Sequence, residues 1–309
     1  MNASLLGYAA AVLSGLDDAQ RRVVADELAQ LEQTAGTDST LRAALTDTAI
    51  PAWSRRAFVA DLLADKVSAA TARLAAYAAY SSSAQDVPLA FTEVAQRARF
   101  FAADGGVHEP ALGVLAARAR VGGYATAVFE DLPVATFEGT EDELYEWARA
   151  VESTPQLRNL LTNRDLPAPT RAQVVHDLLA DRASAITVRL AAYAVVGGRA
   201  RDLVGTLDWL VDRVAEERGW RIARVRSARP IDEGAREALS GSIEHLIGRP
   251  VELEVSEQAD LLGGVIVEVG DLRVDASAKG RLDALREHLM ADRPGERLFE
   301  KNETTRGAN

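Results

Sequence analysis

The feature that most constrains this chain is that it repeats itself. "GYAAAV" at Gly7–Val12 returns as "GYATAV" at Gly123–Val128, and "LRAALT" at Leu41–Thr46 returns as "LRNLLT" at Leu157–Thr162. "DLLADK" at Asp61–Lys66 returns as "DLLADR" at Asp177–Arg182, and "RLAAYA" at Arg73–Ala78 returns at Arg189–Ala194. Each pair lies 116 residues apart with no gap, and 32 of the 74 positions from Gly7–Tyr80 to Gly123–Val196 are identical. A solenoid repeat has a period of about 20–50 residues, so this unit is a whole domain present in two tandem copies.

The repeat also interprets the N-terminus. Met1–Leu16 carries no charged side chain and could pass for the apolar part of a signal peptide. It lacks a positive n-region and a convincing cleavage site, and its sequence recurs inside the chain. It is expected to be the first helix of copy one. No uncharged apolar run approaches the roughly 18–20 residues of a spanning helix, so any membrane association is expected to be indirect.

Each copy reads as about six helices. In copy one, Ser4–Leu13 forms the first, ending near Gly15. Asp17 or Asp18 caps a second, with Val24, Leu28 and Leu31 on one face. Asp38 or Ser39 opens a third. Pro51 suits the first turn of a fourth, where its missing N–H would be unpaired anyway. Ser68 opens a fifth through Leu74 and Tyr77, and a sixth carries Phe91, Val94 and Ala98. In copy two, Thr140-x-x-Glu143 has the spacing of a capping box, and Thr154-Pro155 that of an N-cap followed by proline. The glycine pairs beginning at Gly105, Gly122 and Gly197 are expected at helix boundaries.

After Gly219 the period changes from 3.6 to 2. Trp220–Ala228 fits a strand and Ile231–Ile247 a helix, and Val251–Val255 alternates apolar with glutamate like a strand solvated on one side. Val265, Val267 and Val269 share a face. Gly270-Asp271 supplies a two-residue turn, from which Leu272–Val274 returns as a hairpin. Asp275 or Ser277 caps a last helix with Leu282, Leu285 and Leu289 on one face, and the polar remainder is expected to be disordered. The predicted fold is mainly α: two tandem six-helix bundles followed by a small α/β C-terminal domain. Its parts are residues 1–103 (bundle copy one), 104–113 (linker), 114–218 (bundle copy two), 219–290 (α/β domain) and 291–309 (tail).

Composition excludes some functions. Apolar residues at 48% and charged residues at 26% are ordinary for a globular protein, and the net charge of −11 argues against a nucleic-acid or anionic-membrane binder. The chain has no cysteine, hence no disulfide or thiolate metal site. Its only lysines are Lys66, Lys279 and Lys301, which suits a GC-rich bacterial coding sequence. There is no P-loop, G-x-G-x-x-G opening a helix, G-x-S-x-G or H-E-x-x-H. His108, His176, His245 and His288 are scattered, and no carboxylate pair stands out as acid and base. Arg218, Arg221, Arg224, Arg226 and Arg229 form one basic cluster, which strand alternation is expected to split over two faces. No catalytic, metal-binding or cofactor-binding residue is expected; the residues describe a scaffold.

Residues Val251–Leu289 closely resemble the C-terminal motif of the delta subunit of F-type ATP synthase, the counterpart of the oligomycin-sensitivity-conferring protein. The match rests on Gly263-Gly264, the valine-rich strand, Gly270-Asp271, Asp275, Ser277 and the leucine-spaced last helix. "RVRSARPID" at Arg224–Asp232 and "YATAVFEDL" at Tyr124–Leu132 also look like that family. The resemblance runs continuously from Val121 to Leu289 and reaches copy one through the duplication.

It implies a non-catalytic stator protein without a cofactor, held peripherally at the cytoplasmic face of the bacterial plasma membrane. In it, the helical bundle binds N-terminal segments of the alpha subunits, and the C-terminal domain holds the C-terminal helix of the b-type peripheral stalk. The resemblance places the alpha segment between the first and fifth helices of a bundle. That points to Tyr124 and Val128 with Leu190 and Tyr193, and in copy one to Tyr8, Val12, Leu74 and Tyr77. Each could equally be a core residue, and Gly263, Gly264, Gly270, Asp271, Asp275 and Ser277 fit turn and cap geometry. The extra bundle departs from the usual single one. Copy two, joined directly to the C-terminal domain, is expected to meet the head, with copy one bracing the stalk or meeting a second alpha segment. The other reading open on sequence alone is a helical adaptor unrelated to ATP synthesis.

Overall fold

The computed structural model describes residues 2–104, 109–130, 132–247, 251–258, 261, 263–269 and 272–276. They fall into two compact units, one containing Met1–Arg218 and the other containing the C-terminal sheet.

The helical unit carries the same element order twice. Copy one has α1 (Ala3–Ser14), α2 (Asp18–Thr37), α3 (Ser39–Thr46), α4 (Ala52–Leu63), α5 (Ala69–Ser81) and α6 (Val87–Asp104). Copy two has α7 (Val114–Phe129), α8 (Ala135–Ser153), α9 (Pro155–Thr162), α10 (Ala168–Leu179), α11 (Ala185–Gly197) and α12 (Leu203–Arg221). A short 3-10 turn precedes the sixth helix in each copy. One continuous cluster of buried apolar side chains extends from Leu5 to Val214 through both copies.

Local chemistry explains several helix starts. Asp17 and Gln20 form a reciprocal capping box at α2, and Asp38 accepts from the Thr40 and Leu41 amides at α3. Ser68 and Ser184 cap α5 and α11, accepting from the Thr71 and Thr187 amides. A glutamate from the second helix of each copy reinforces this turn. Glu27 accepts from the Ser68 N–H, the Ser68 hydroxyl and the Thr71 hydroxyl, and Glu143 does the same for Ser184 and Thr187. Burial alone would raise both carboxyls, but these donors outweigh it and hold both below the usual carboxylate value. Arg55 and its repeat equivalent Arg171 are buried and donate to main-chain carbonyls: Ala79, Ile50 and Ser82 for the first, Leu161 for the second.

Two sequence expectations about these helices need correction. Thr140 and Glu143 do not cap a helix, because α8 begins five residues earlier at Ala135. Thr140 donates instead to the Thr136 carbonyl inside that helix, which frees Glu143 to reach across to α11. Thr154 occupies the N-cap position of α9 with Pro155 at N1, as the spacing predicts, and its side chain makes no capping hydrogen bond. Gly122 and Gly123 lie inside α7, whereas Gly197 ends α11. Gly105 lies outside the described residues.

In the second unit, β1 (Ile222–Ser227) leads into α13 (Glu233–Ile247), followed by β2 (Glu252–Glu257), β3 (Val265–Val269) and β4 (Leu272–Asp275). The sheet order is β2-β1-β3-β4. β1 and β2 are parallel, as the helical crossover requires, while β1–β3 and β3–β4 are antiparallel. Trp220 and Arg221 belong to α12 and not to β1. The helix thus ends abutting the strand, without a turn residue to mark the change in period.

Ala223, Val225, Leu253, Val267 and Val269 share the buried sheet face. Arg224 and Arg226 lie together on the opposite face, so alternation does not split them. Arg224 pairs with Glu254 at 3.5 Å and Arg226 with Glu268 at 2.5 Å, so glutamates on neighbouring strands offset the basic cluster. Gly263 and Gly264 enter β3 with φ of 144° and 81°, conformations that a Cβ would strain. Asp275 is the last residue of β4. Gly270, Asp271, Ser277, the expected last helix and residues 291–309 lie outside the described residues; Val269 nonetheless sits opposite Leu272 across the hairpin.

Candidate partner-binding site

The residues singled out for partner binding all lie on the first and fifth helices of their copies, α1 with α5 and α7 with α11. Within copy one, Tyr8 and Tyr77 stack with ring centroids 3.8 Å apart and planes 5° from parallel. In copy two, Tyr124 and Tyr193 stack at 3.8 Å and 10°. Tyr8, Leu74, Tyr77, Tyr124, Val128, Leu190 and Tyr193 are buried, and Val12 is partly buried against the same core. The structure therefore brings the eight together, but inside the helical unit and not along an open groove.

The cover is the other copy. α1 lies directly on α7, and at their crossing the backbones touch. A Cβ on Gly7 would stand 1.7 Å from the Arg120 carbonyl oxygen, and one on Gly123 would stand 1.8 Å from that of Ser4. Real Cβ atoms do not approach so closely, so only glycine serves at either position. The contact is reciprocal: Arg120 is the repeat equivalent of Ser4, and Gly123 of Gly7. Each copy meets the other through the same pair of positions, the signature of a two-fold, isologous contact, here formed within one chain.

Two carboxylates pin this crossing. Glu130, just past α7, accepts from the Tyr8 hydroxyl at 2.6 Å, Arg56 at 2.7 Å and Arg73 at 2.9 Å, all from copy one. Arg73 also donates to the Ala127 carbonyl of α7. Glu109, ahead of α7, binds Arg97 of α6 at 2.6 Å, Arg120 of α7 at 3.2 Å and the Tyr193 hydroxyl of α11 at 2.9 Å. Its side chain is 3% exposed, against 12% for Glu130. Burial pushes the Tyr8 and Tyr193 hydroxyls well above the ordinary tyrosine value, and the adjacent glutamates push them further. Both phenols therefore stay protonated and act as fixed donors. Burial likewise raises Tyr77.

Sequence reasoning passed over Gly7, Glu109, Glu130, Arg56, Arg73, Arg97 and Arg120, and took Gly123 for part of a helix boundary. One signal for them was present. Helix α1 is uncharged throughout, and a helix apolar all round must be covered all round; a helix covered only by its own bundle would show a polar stripe. Nothing local marked the two glutamates: Glu130 acts on residues 57 to 122 positions away, and Glu109 joins Arg97 and Arg120, on two different helices, to the distant Tyr193. Among the described residues no group of three or more His, Asp or Glu is placed to hold a metal ion, and no helix is long and apolar enough to cross a membrane.

Residues 121–289 match the family described as the ATP synthase delta (OSCP) subunit. The chain belongs to that family. It is 34% identical over 154 residues to the ATP synthase subunit delta of Streptomyces avermitilis, an alignment covering 50% of this chain and 56% of that protein. Matches to some relatives extend further. The subunit of Frankia alni is 31% identical over 277 residues, 88% of each chain, and that of Corynebacterium urealyticum 31% over 255 residues, 82% and 83%. In the Streptomyces alignment the chain thus spans little more than half of its relative. The family match begins at Val121 in α7, so it takes in nearly all of copy two and runs on to residue 289, and leaves the whole of copy one outside.

Proposed function

We propose that the chain is a non-catalytic stator subunit of an F-type ATP synthase. In this reading its helical unit holds N-terminal segments of the alpha subunits, and its C-terminal unit holds the C-terminal helix of a b-type peripheral stalk. The catalytic head is thereby kept from turning with the rotor, so that rotor torque drives ATP synthesis during proton transport. The protein needs no cofactor, binds no nucleic acid, and meets the membrane only through the complex, at its cytoplasmic face. The observation that carries the reading is the family match over 121–289. The build of the helical unit suits it: buried ion pairs and backbone-to-backbone helix contact make a body that transmits force without chemistry.

The site residues named above belong to this proposal. Tyr124, Val128, Leu190 and Tyr193, like Tyr8, Val12, Leu74 and Tyr77, line an interface whose occupant in this chain is the other copy.

The test is co-purification and truncation. The tagged full-length protein is expected to co-purify with the membrane-bound synthase. Deleting residues 219–309 is expected to abolish capture of a b-type C-terminal helix while sparing capture of an alpha-subunit N-terminal peptide. Loss of both, or of neither, contradicts the division of labour. Recovery of the protein only in the soluble fraction favours an unrelated adaptor.

A further inference from the structure

We infer that copy one is the permanent, built-in occupant of the face that copy two would otherwise offer to an incoming helix, so that an alpha-subunit segment docks elsewhere on the helical unit. The inference rests on the stator reading for the identity of that segment; the closure itself rests on geometry alone.

Three features make the face a finished interface. First, the crossing leaves no intervening layer. The Ser4 and Arg120 carbonyl oxygens occupy the space that a side chain at Gly123 or Gly7 would need. Second, the tyrosine stacks are tied to the carboxylates that join the copies. Tyr8 donates to Glu130 of copy two, and Tyr193 donates to Glu109, which also holds Arg97 of copy one. Third, opening the crossing would part buried charges. Glu109, Arg97 and Arg120 have side chains 3%, 9% and 3% exposed. Parting Arg97 from Glu109 in place removes a close opposite charge from each in a poorly solvated site. An incoming amphipathic helix would present side chains, not a glycine backbone, and could not reproduce a contact made at zero side-chain thickness.

A helix entering between α1 and α7 would have to move them apart by about one helix diameter, on the order of 8–10 Å. That displacement is measurable. The chain has no cysteine, so cysteines introduced at exposed Ser14 of α1 and Leu115 of α7 carry the only two nitroxide labels. The label-to-label distance is read by pulsed electron resonance on the full chain alone, with a saturating synthetic peptide of the alpha subunit's N-terminal segment, and within the purified synthase. The expected result is one narrow distribution, unchanged in all three states, with peptide binding intact. Gly123→Leu in the same labelled chain is expected to lengthen or broaden it; Glu109→Gln with Glu130→Gln gives a second variant should the first fail to fold.

A population longer by about one helix diameter with peptide or in the synthase overturns the inference and leaves the stator reading standing. Failure of the chain both to bind peptide and to enter the synthase overturns the stator reading, while a single narrow distance in the chain alone still supports closure.

Discussion

The two copies agree in their internal bonds and in the close helix approach that joins them, and differ in the charges that pin that approach. Glu27 and Glu143 make the same bonds to the start of the fifth helix, and Arg55 and Arg171 both donate to main-chain carbonyls. Gly7 and Gly123 make the same close approach. The pinning is not shared. Glu130 of copy two gathers Tyr8, Arg56 and Arg73, but the equivalents of Glu130 and Arg56 are Ser14 and Ala172, and Arg189, the equivalent of Arg73, is exposed. On the other side the same task falls to Glu109, from the segment between the copies. A symmetric contact is thus locked by two unlike latches. The difference teaches that duplication supplied the shape of the interface, while divergence gave each copy its own side of it.

The largest effects should come from the glycines. Gly7→Ala and Gly123→Ala each place a methyl within 2 Å of a carbonyl oxygen, and overpacking of this kind costs about 1–3 kcal/mol or more. Alanine ordinarily stabilises a helix interior relative to glycine by about 1 kcal/mol, so Gly139→Ala, in α8 with nothing near its Cβ position, should have the opposite sign. Thermal melts of the three variants check this, and equal shifts would break the picture of a glycine-only crossing.

Next come the latches. Glu109→Gln should destabilise more than Glu130→Gln, because its charges are more deeply buried; breaking such a pair costs about 3–5 kcal/mol when fully buried and less as solvent enters. Ser14→Ala, at the repeat equivalent of Glu130, should be near neutral. Urea titrations rank the three, and a neutral Glu109→Gln would remove the latch from the account.

A smaller effect is set by pH. Glu27 and Glu143 ionise below the value of about 4.5 expected of an unfolded chain. Their contribution is therefore complete above about 4.5 and is lost as pH falls through their lower folded values. Glu27→Gln and Glu143→Gln should reduce the stability lost on acidification in that window, by similar amounts because their surroundings are alike. Unfolding midpoints between pH 3 and pH 6 measure it; a large difference between the two would show that the copies are less equivalent than their bonds indicate.

Much of the fold was readable because local chemistry decides it. The duplication predicted the recurrence of element order, Asp17, Asp38 and Ser68 marked helix starts, and the alternation at Val251–Val255 marked a strand. The family resemblance from Val121 to Leu289 coincides with the matched range 121–289. What escaped depended on distant partners. Thr140 and Glu143 had capping spacing, but α8 had already begun, and Glu143 was committed to α11. Gly122-Gly123 looked like a helix end because the close approach of another helix leaves no mark on one strand of sequence. The eight candidate residues lie on the first and fifth helices of their copies, yet nothing in the sequence said that the neighbour covering them is the chain itself.

The central claim is that the two copies form one closed body. Native-state hydrogen exchange on the full-length chain tests it most directly, through the amides of α1 and α7 at the crossing. The account predicts that Gly7 and Gly123 exchange only with the most protected core amides of both copies, at one common opening free energy. Exchange of either glycine through a lower-energy opening, with the rest of its copy still protected, would contradict it.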